Sequence, residues 1–450
     1  MDPPAAEVGE NEQMRRIGRV GSARSVGHAG TQPGWGSATS ARPAPWRDAT
    51  RSLAAPIAVV DLDAFDANAA DLLARAGGLP LRVASKSVRV RQLVHRALDA
   101  GFASVMAYSL AEALWLAEDG VEDVLVGYPS VDAGSLVRLA QDPAARQAIT
   151  VMVDDVSQVA LLERAFMRAD GLRTDRTENA STAGSSAGPP VQVCLDVDAS
   201  LRLGFGPFSA HLGVRRSPLR SPEDVVRLAR ATERTGRLRV RGVMFYEAQV
   251  AGVPDGSGWR NPAVQVMKGL SLRDLAARRP AVVSALEDHL GREVLVNGGG
   301  TGSLQQTATD PTITELTAGS GLLCPTLFDS YDAFDPRPAA FFGLDVVRRP
   351  AARIATAFGG GYVASGPARP SRLPRPVDGA RLLGSEGAGE VQTPLRYPSG
   401  RQGPAVGARV WLRHAKAGEL MERFDQVRLV RAGSVHSSVP TYRGEGQNFG

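Results

Sequence analysis

Lysine is nearly missing from this 450-residue chain, in which three lysines stand against 49 arginines. Ordinary solvated positive charge is therefore left to arginine, and each remaining lysine invites a reason. Cysteine is equally scarce. Cys194 and Cys324 lie far apart, which excludes a disulfide framework and zinc-ligand spacing and suits a reducing cytoplasm. No apolar run approaches the ~20 residues that a membrane-crossing helix needs. Positive charge is interspersed with acids and sums to a net of only +5, so the basic stripe that nucleic acid requires is missing. The expectation is a cytoplasmic protein that engages neither membrane nor nucleic acid. Residues 1–50 lack hydrophobic periodicity and are rich in Gly, Ser, Ala, Arg and Pro. They read as a disordered tail without the apolar core of a secretory signal.

From Pro56 onward strand-like and helix-like patterns alternate. Short apolar strands are expected at 57–62, around 81–85, and at 104–108, 123–128, 149–153, 191–197, 240–246 and 293–296. Helical stretches are expected at 64–75, 90–100, 131–140, 157–166, 222–234 and 280–290. Strand–helix alternation with short links implies parallel strands and right-handed crossovers. About eight such units suit a closed (β/α)8 barrel, whose usual size is about 250 residues. An open doubly wound sheet is the rival, but its dinucleotide fingerprint is missing from the first βα turn. After about residue 332 strands alternate with Gly/Pro turns and helix signals fade. The expected fold class is therefore α/β: a barrel over 63–331, then a smaller, mainly β domain over 332–450, joined by a strand at 51–62. The stretch 172–190 reads as an insertion, and 251–262 as either a lid or a plain loop.

Lys86 lies where a strand hands over to a helix, and α/β barrels place their chemistry at such strand ends. A desolvated lysine can lose its proton and attack a carbonyl, which arginine cannot do. The competing reading is a surface lysine at a strand end. Asn297-Gly298-Gly299-Gly300-Thr301-Gly302-Ser303 follows a later strand. Successive glycines let backbone N–H groups converge on a phosphate, although a tight turn uses glycine equally well. The missing Gly-Lys-Ser/Thr ending excludes a nucleotide P-loop. Glu315-Leu316-Thr317-Ala318-Gly319-Ser320-Gly321 is a second small-residue segment that suits the other edge of a phosphate cradle. A reactive lysine plus a phosphate cradle matches pyridoxal 5′-phosphate, which carries an aldehyde and a phosphate. Ser109-Leu110-Ala111-Glu112 has capping-box spacing, so Glu112 reads as a helix cap.

These motifs, in this order, resemble the fold-type III pyridoxal-phosphate enzymes with an alanine racemase-type barrel, nearest the D-threonine aldolase and D-serine dehydratase branch. The resemblance rests on Pro56 to Asp63 with Asn68, on Arg82-x-x-x-Lys86-Ser87, and on Asp196 to Gly204. It rests further on Gly242 to Tyr246, Gly298 to Ser303 and Glu315 to Ser320. Val83-Ala84 replaces the Pro-His pair usual in the aldolase branch. The resemblance implies pyridoxal phosphate held as an imine by Lys86. It places the phosphate among Gly299, Gly300, Thr301, Gly302, Ser303, Ser320 and Gly321, Arg202 beside the phenolic oxygen, and Tyr246 against the ring. It also implies a small amino acid substrate and a head-to-tail homodimer.

The branch binds a metal through His-x-Cys or His-x-Asp near the C-terminus. Here the segment is His414-Ala415-Lys416. An ammonium cannot ligate a metal, so no metal is expected, and Lys416 offers a fixed positive charge in its place or a surface pair with Glu419. The arginine that racemases set beside the pyridine nitrogen would fall near Thr317, which favours a lyase. The implied reaction is aldol cleavage or dehydrative deamination of a D-configured β-hydroxy amino acid. A racemase, with Tyr331 as the second base, is the alternative. A cofactor carrier without turnover is disfavoured by the size of the second domain.

Overall fold

Each barrel strand is short and buried over most of its length, and each following helix buries one stripe. In β2 (Leu81–Ala84) all four residues are buried, while the helix Arg91–Asp99 buries only Leu93, Val94 and Ala97, one face of a 3.6-residue period. The computed structural model describes residues 46–174, 188–204, 210–255, 261–331, 334–335 and 337–450. Most of the expected tail, the core of the 172–190 insertion and the centre of the 251–262 segment lie outside the described residues.

The strands in chain order are β1 (Ile57–Asp61), β2, β3 (Ser104–Ala107), β4 (Val124–Pro129), β5 (Ile149–Val153) and β6 (Val191–Asp196). A hairpin of β7 (Leu201–Leu203) and β8 (Ala210–Leu212) follows, then β9 (Leu238–Phe245), β10 (Leu295–Gly298), β11 (Glu315–Ala318) and β12 (Ala340–Ala351). Strands β2 to β6, β9, β10 and β11 close into an eight-stranded parallel barrel, with β11 returning to pair with β2. The fold is the expected (β/α)8 barrel with an additional mainly β region.

The barrel interior is filled. Leu125, Met152, Cys194 and Met244 form one buried layer, with Met106 packed against it. A second layer is ionic. The fully buried Arg82 donates to Glu315 at 2.9 and 2.7 Å and to Asp123 at 3.1 Å, and Arg241 donates to Asp123 at 2.8 Å. Arg82 therefore belongs to the frame beneath Lys86. Burial opposes the charge of Asp123, but the two arginines outweigh it and hold the carboxyl at about 2.

β1 lies outside the barrel. It pairs antiparallel with β12 and parallel with the strand Gln426–Arg431, so it is an interior strand of the C-terminal sheet. Asp61 then caps the first barrel helix, Leu62–Arg75, accepting from the N–H groups of Asp63 and Ala64 at 3.0 and 3.2 Å. Asn68 ties that helix to the barrel's end by donating to the carbonyls of Leu322 and Arg337.

Two elements depart from the sequence pattern. The expected helix at 280–290 is the second half of a continuous helix, Asn261–Leu290, with Pro280 inside it. Pro280 faces solvent while Leu275, Val282, Val283 and Leu286 are buried, so packing outweighs the lost backbone hydrogen bond. The stretch after Asp196 does not run straight into a helix but forms the hairpin of β7 and β8.

Candidate active site

The C-terminal ends of β2, β4, β6, β9, β10 and β11 bring the candidate residues to one mouth. Lys86 lies in the single 3-10 turn Ser85–Ser87 directly after β2. Its ammonium Nζ donates to the Tyr128 hydroxyl at 2.6 Å, and Tyr128 stands at the corresponding end of β4. Three residues on, Arg89 holds φ 51°, an uncommon conformation for a residue with a side chain. It is fixed by hydrogen bonds to the Lys86 carbonyl at 3.3 Å and to Glu422 at 2.7 Å. The C-terminal β region thus grips the turn that presents the lysine.

The arginine of this mouth is Arg216, not Arg202. Arg216 donates to Asp196 at 3.1 Å and to the Gly127 carbonyl at 2.9 Å. Its guanidinium lies 5.0 Å from the Tyr128 ring centroid and 5.4 Å from that of Tyr246. Arg202 sits on the hairpin, half-exposed, and pairs with Asp198 at 2.6 Å. The hairpin separates the strand end from Arg216, which returns to it. Burial lifts the Asp196 carboxyl to about 6, with Arg216 pulling the other way. Burial alone would raise the Tyr128 phenol, but Lys86, Arg216 and Lys416 hold it below its usual value. Tyr246 is shifted upward, by burial first.

The two glycine segments meet beside Lys86. A Cβ on Gly300 would come within 2.7 Å of the Ala251 Cβ, and one on Gly302 within 2.3 Å of the Tyr331 ring and 2.4 Å of the Ala251 carbonyl. Gly299 takes φ 84°. On the other segment, a Cβ on Gly319 would lie 2.6 Å from the Ala84 carbonyl, and the Ser320 hydroxyl is 3.0 Å from that of Ser87. The Gly321 N–H donates to the Thr301 hydroxyl at 3.0 Å, which joins the segments directly.

Some expected phosphate ligands are engaged elsewhere. Ser303 is fully buried and donates to Glu247 at 3.1 Å, and its N–H bonds the Gly300 carbonyl. Gly321 spends its N–H on Thr301. Both belong to the frame of the loop, leaving Gly299, Gly300, Thr301, Gly302 and Ser320 as its face. Tyr331 packs against Gly302 and donates to the Ala251 carbonyl at 3.1 Å. Burial raises its phenol strongly, which holds it protonated.

His414 is buried, and neither ring nitrogen has a partner. Burial pushes it down to about 3, so it is neutral. It lines a cavity of about 190 Å3 with Tyr362, Lys416, Glu419 and Glu422. Lys416 donates to the Ser365 hydroxyl at 2.7 Å and stands 3.4 Å from Glu419, so the sequence's alternative of a pair with Glu419 is present. Among the described residues no group of three His, Cys, Asp or Glu side chains is arranged to hold a metal ion. All three lysines have specific partners, the third being Lys268, buried and 2.7 Å from Asp255.

Sequence reasoning missed Tyr128 and Arg216. Tyr128 carried the same signal as Lys86, the end of a barrel strand. It also read Glu112 only as a cap. The Glu112 N–H does donate to the Ser109 hydroxyl at 3.2 Å, and its carboxylate accepts from the Tyr108 N–H at 2.8 Å, but the group is fully buried and lifted to about 7 by that burial.

Residues 60–271 match the alanine racemase N-terminal domain. That match covers a little under half of the chain. The chain is 26% identical over 277 residues to a 3-hydroxy-D-aspartate aldolase of Paracoccus denitrificans (strain Pd 1222), a match covering 59% of this chain and 59% of that relative. Its fold is similar to D-threonine aldolase from Filomicrobium marinum, with a TM-score of 0.69, 22% identity, and coverage of 88% of this chain and 96% of the other. D-threo-3-hydroxyaspartate dehydratase from Delftia sp. HT23 gives a TM-score of 0.64 at 19% identity, covering 87% and 98%. Pyridoxal 5′-phosphate is the cofactor of the alanine racemase-like fold and of the aldolases and dehydratases that the chain is similar to, and the mouth of this barrel fits it. Lys86 would offer the amine, the Gly299–Gly302 backbone with Ser320 a cradle that side chains would fill, and Tyr246 and Arg216 an aromatic face and a cation.

Proposed function

We propose that the protein is a pyridoxal-phosphate-dependent lyase acting on a β-hydroxy amino acid of D configuration, by aldol cleavage or dehydrative deamination. The observation that carries this reading is Lys86 Nζ at a strand end, 2.6 Å from Tyr128, on a turn against which the Gly319–Gly321 segment packs through Ala84 and Ser87. When bound, the cofactor supplies an electron sink for negative charge at the substrate Cα. Lys86 would hold the cofactor and then move a proton at Cα. Gly299, Gly300, Thr301, Gly302 and Ser320 would hold the phosphate, with Ser303, Glu247 and Thr307 stiffening the loop from behind. Arg216, anchored by Asp196, would keep Tyr246 and Tyr128 in register.

The names of the relatives favour hydroxyl-bearing D-amino acids, including 3-hydroxyaspartate. Racemisation is disfavoured because Tyr331 already donates its proton to Ala251 and burial retains that proton. We further infer a homodimer and a cytoplasmic location. Sizing in solution and cell fractionation test these two inferences. The reaction itself is tested by incubating the cofactor-loaded protein with D- and L-β-hydroxy amino acids and assaying aldehyde, ammonia and inverted enantiomer. Aldehyde or ammonia from D-substrates supports the lyase. Inversion alone would replace it with a racemase.

A further inference from the structure

One short hydrogen bond at the mouth is unexplained by cofactor binding. Lys86 needs no phenol to form a bond to an aldehyde, yet Tyr128 lies 2.6 Å from its nitrogen, and its ring packs against Arg216. We propose that Tyr128 is a catalytic acid–base group for the substrate's β-oxygen, exchanging its proton with Lys86 so that the pair forms a relay between Cα and that oxygen. The proposal rests on the lyase reading and deepens it.

The relay balances for either reaction. In dehydration the free Lys86 amine takes the Cα proton, and the C–H electron pair becomes the Cα–Cβ double bond. The Cβ–O bond breaks with its pair on oxygen, and Tyr128 donates the proton that makes water. The Lys86 ammonium then restores the phenol. In aldol cleavage the direction reverses. The Tyr128 phenolate accepts the β-hydroxyl proton, the O–H pair becomes the carbonyl, and the Cα–Cβ pair stays at Cα. The proton then passes through Lys86 to Cα. Each event begins and ends with the same protonation of the pair.

The surroundings suit both roles. Lys86 faces the phenol from β2, Arg216 from the segment after β8, Tyr246 from the end of β9, and Lys416 adds positive charge from the C-terminal region. Cations favour the phenolate, so less is lost when the proton moves. No carboxylate is needed, and neither is a metal to polarise the β-oxygen.

The test uses Tyr128→Phe in cofactor-loaded protein with two substrates, a β-hydroxy amino acid and its β-chloro analogue. Chloride departs without a proton, so its loss needs Lys86 but not Tyr128. Turnover of the hydroxy substrate should fall about a hundredfold or more, in the range for general acid–base groups, while chloride elimination stays within a few-fold of wild type. Equal loss on both substrates, or no loss on either, overturns the relay. A second readout is independent of turnover. Ultraviolet titration of tyrosinate in the wild type minus Tyr128→Phe should show one phenol ionising below the others, and Lys86→Met should move that transition upward. A transition indifferent to Lys86 also overturns the relay. If the wild type acts on no β-hydroxy amino acid, the lyase reading itself fails. An active wild type matched by an equally active Tyr128→Phe removes only the relay.

Discussion

Gly418, in the C-terminal region, lies directly on the backbone of Lys86. Its φ is 82°, and a Cβ there would stand 1.8 Å from the Lys86 carbonyl oxygen. The loop that carries His414 and Lys416 is thus seated on the turn that presents the reactive amine. Gly418→Ala must push the loop away, beyond the cost of about 1–2 kcal/mol for a side chain in the left-handed region. The expected outcome is a lowered Tm together with weakened cofactor retention, followed by cofactor absorbance through a thermal melt.

Arg216→Ala is expected to do far more harm than Arg202→Ala. The first leaves the buried Asp196 without its cation and frees the Tyr128 and Tyr246 rings. A buried pair that loses one partner typically costs about 3–5 kcal/mol. The second leaves Asp198 with Arg220, 3.2 Å away. Comparing Tm and kcat/KM of the two variants checks the assignment, and equal effects would contradict it.

Glu112 makes stability depend on pH. Its folded value of about 7 exceeds the ordinary 4.5 because burial disfavours the charge, outweighing the help from Ser85, Tyr108, Tyr442 and Arg89. Between those values the folded state holds the extra proton, so stability falls as pH rises from about 4.5 to 7, by up to about 3 kcal/mol. Glu112→Gln cannot ionise and keeps an acceptor for the Tyr108 N–H. Its Tm relative to wild type should therefore rise between pH 5 and pH 8. A constant difference across that range would remove Glu112 as the cause.

Turnover is expected to survive chelators. Lys416 occupies the second ligand position of the His-x-Cys/Asp pattern, and its side chain is already held by Ser365 and Glu419. A fixed cation near the site stabilises a developing oxyanion more weakly than a divalent ion would. Lys416→Ala should therefore slow the reaction by about tenfold without abolishing it. Chelator-sensitive activity restored by one divalent metal would defeat this expectation.

Lys268 and Asp255 form a buried pair beneath Tyr331, with Lys268 Nζ 5.3 Å from the ring centroid. Lys268→Met should lower stability, because Asp255 loses this buried partner and keeps Gln265 as a donor at 3.1 Å. Replacing Lys268 and Asp255 together, with Met and Leu, should recover much of that loss. Chemical denaturation of the single and double variants provides the check.

The barrel was legible because Leu81–Ala84 and its counterparts are short, mostly apolar runs separated by amphipathic helices, a pattern that a parallel sheet covered by helices satisfies. The position of Lys86 and of the glycine segments was legible because each follows directly on a barrel strand. Arg216 was not, because a hairpin displaces it from Asp196, the residue it serves. The direction of the Ser303 hydroxyl was not legible, because spacing along the chain does not say that it turns inward to Glu247. The burial of Glu112 was hidden because Tyr442 packs 4.9 Å from Trp115 of the same helix, a contact between distant parts of the chain.

The position of β1 has a consequence for how the molecule is made. Residues 57–61 are paired on one side by β12 and on the other by Gln426–Arg431, so the whole barrel is inserted within the C-terminal sheet. During synthesis β1 emerges first and must wait, with both edges open, until the last strands leave the ribosome. A contiguous fragment ending at the barrel would expose that strand, and one beginning after the barrel would lack the middle of its sheet. Neither half is a natural unit for expression, and a break at the junction near residue 332 should yield two insoluble pieces.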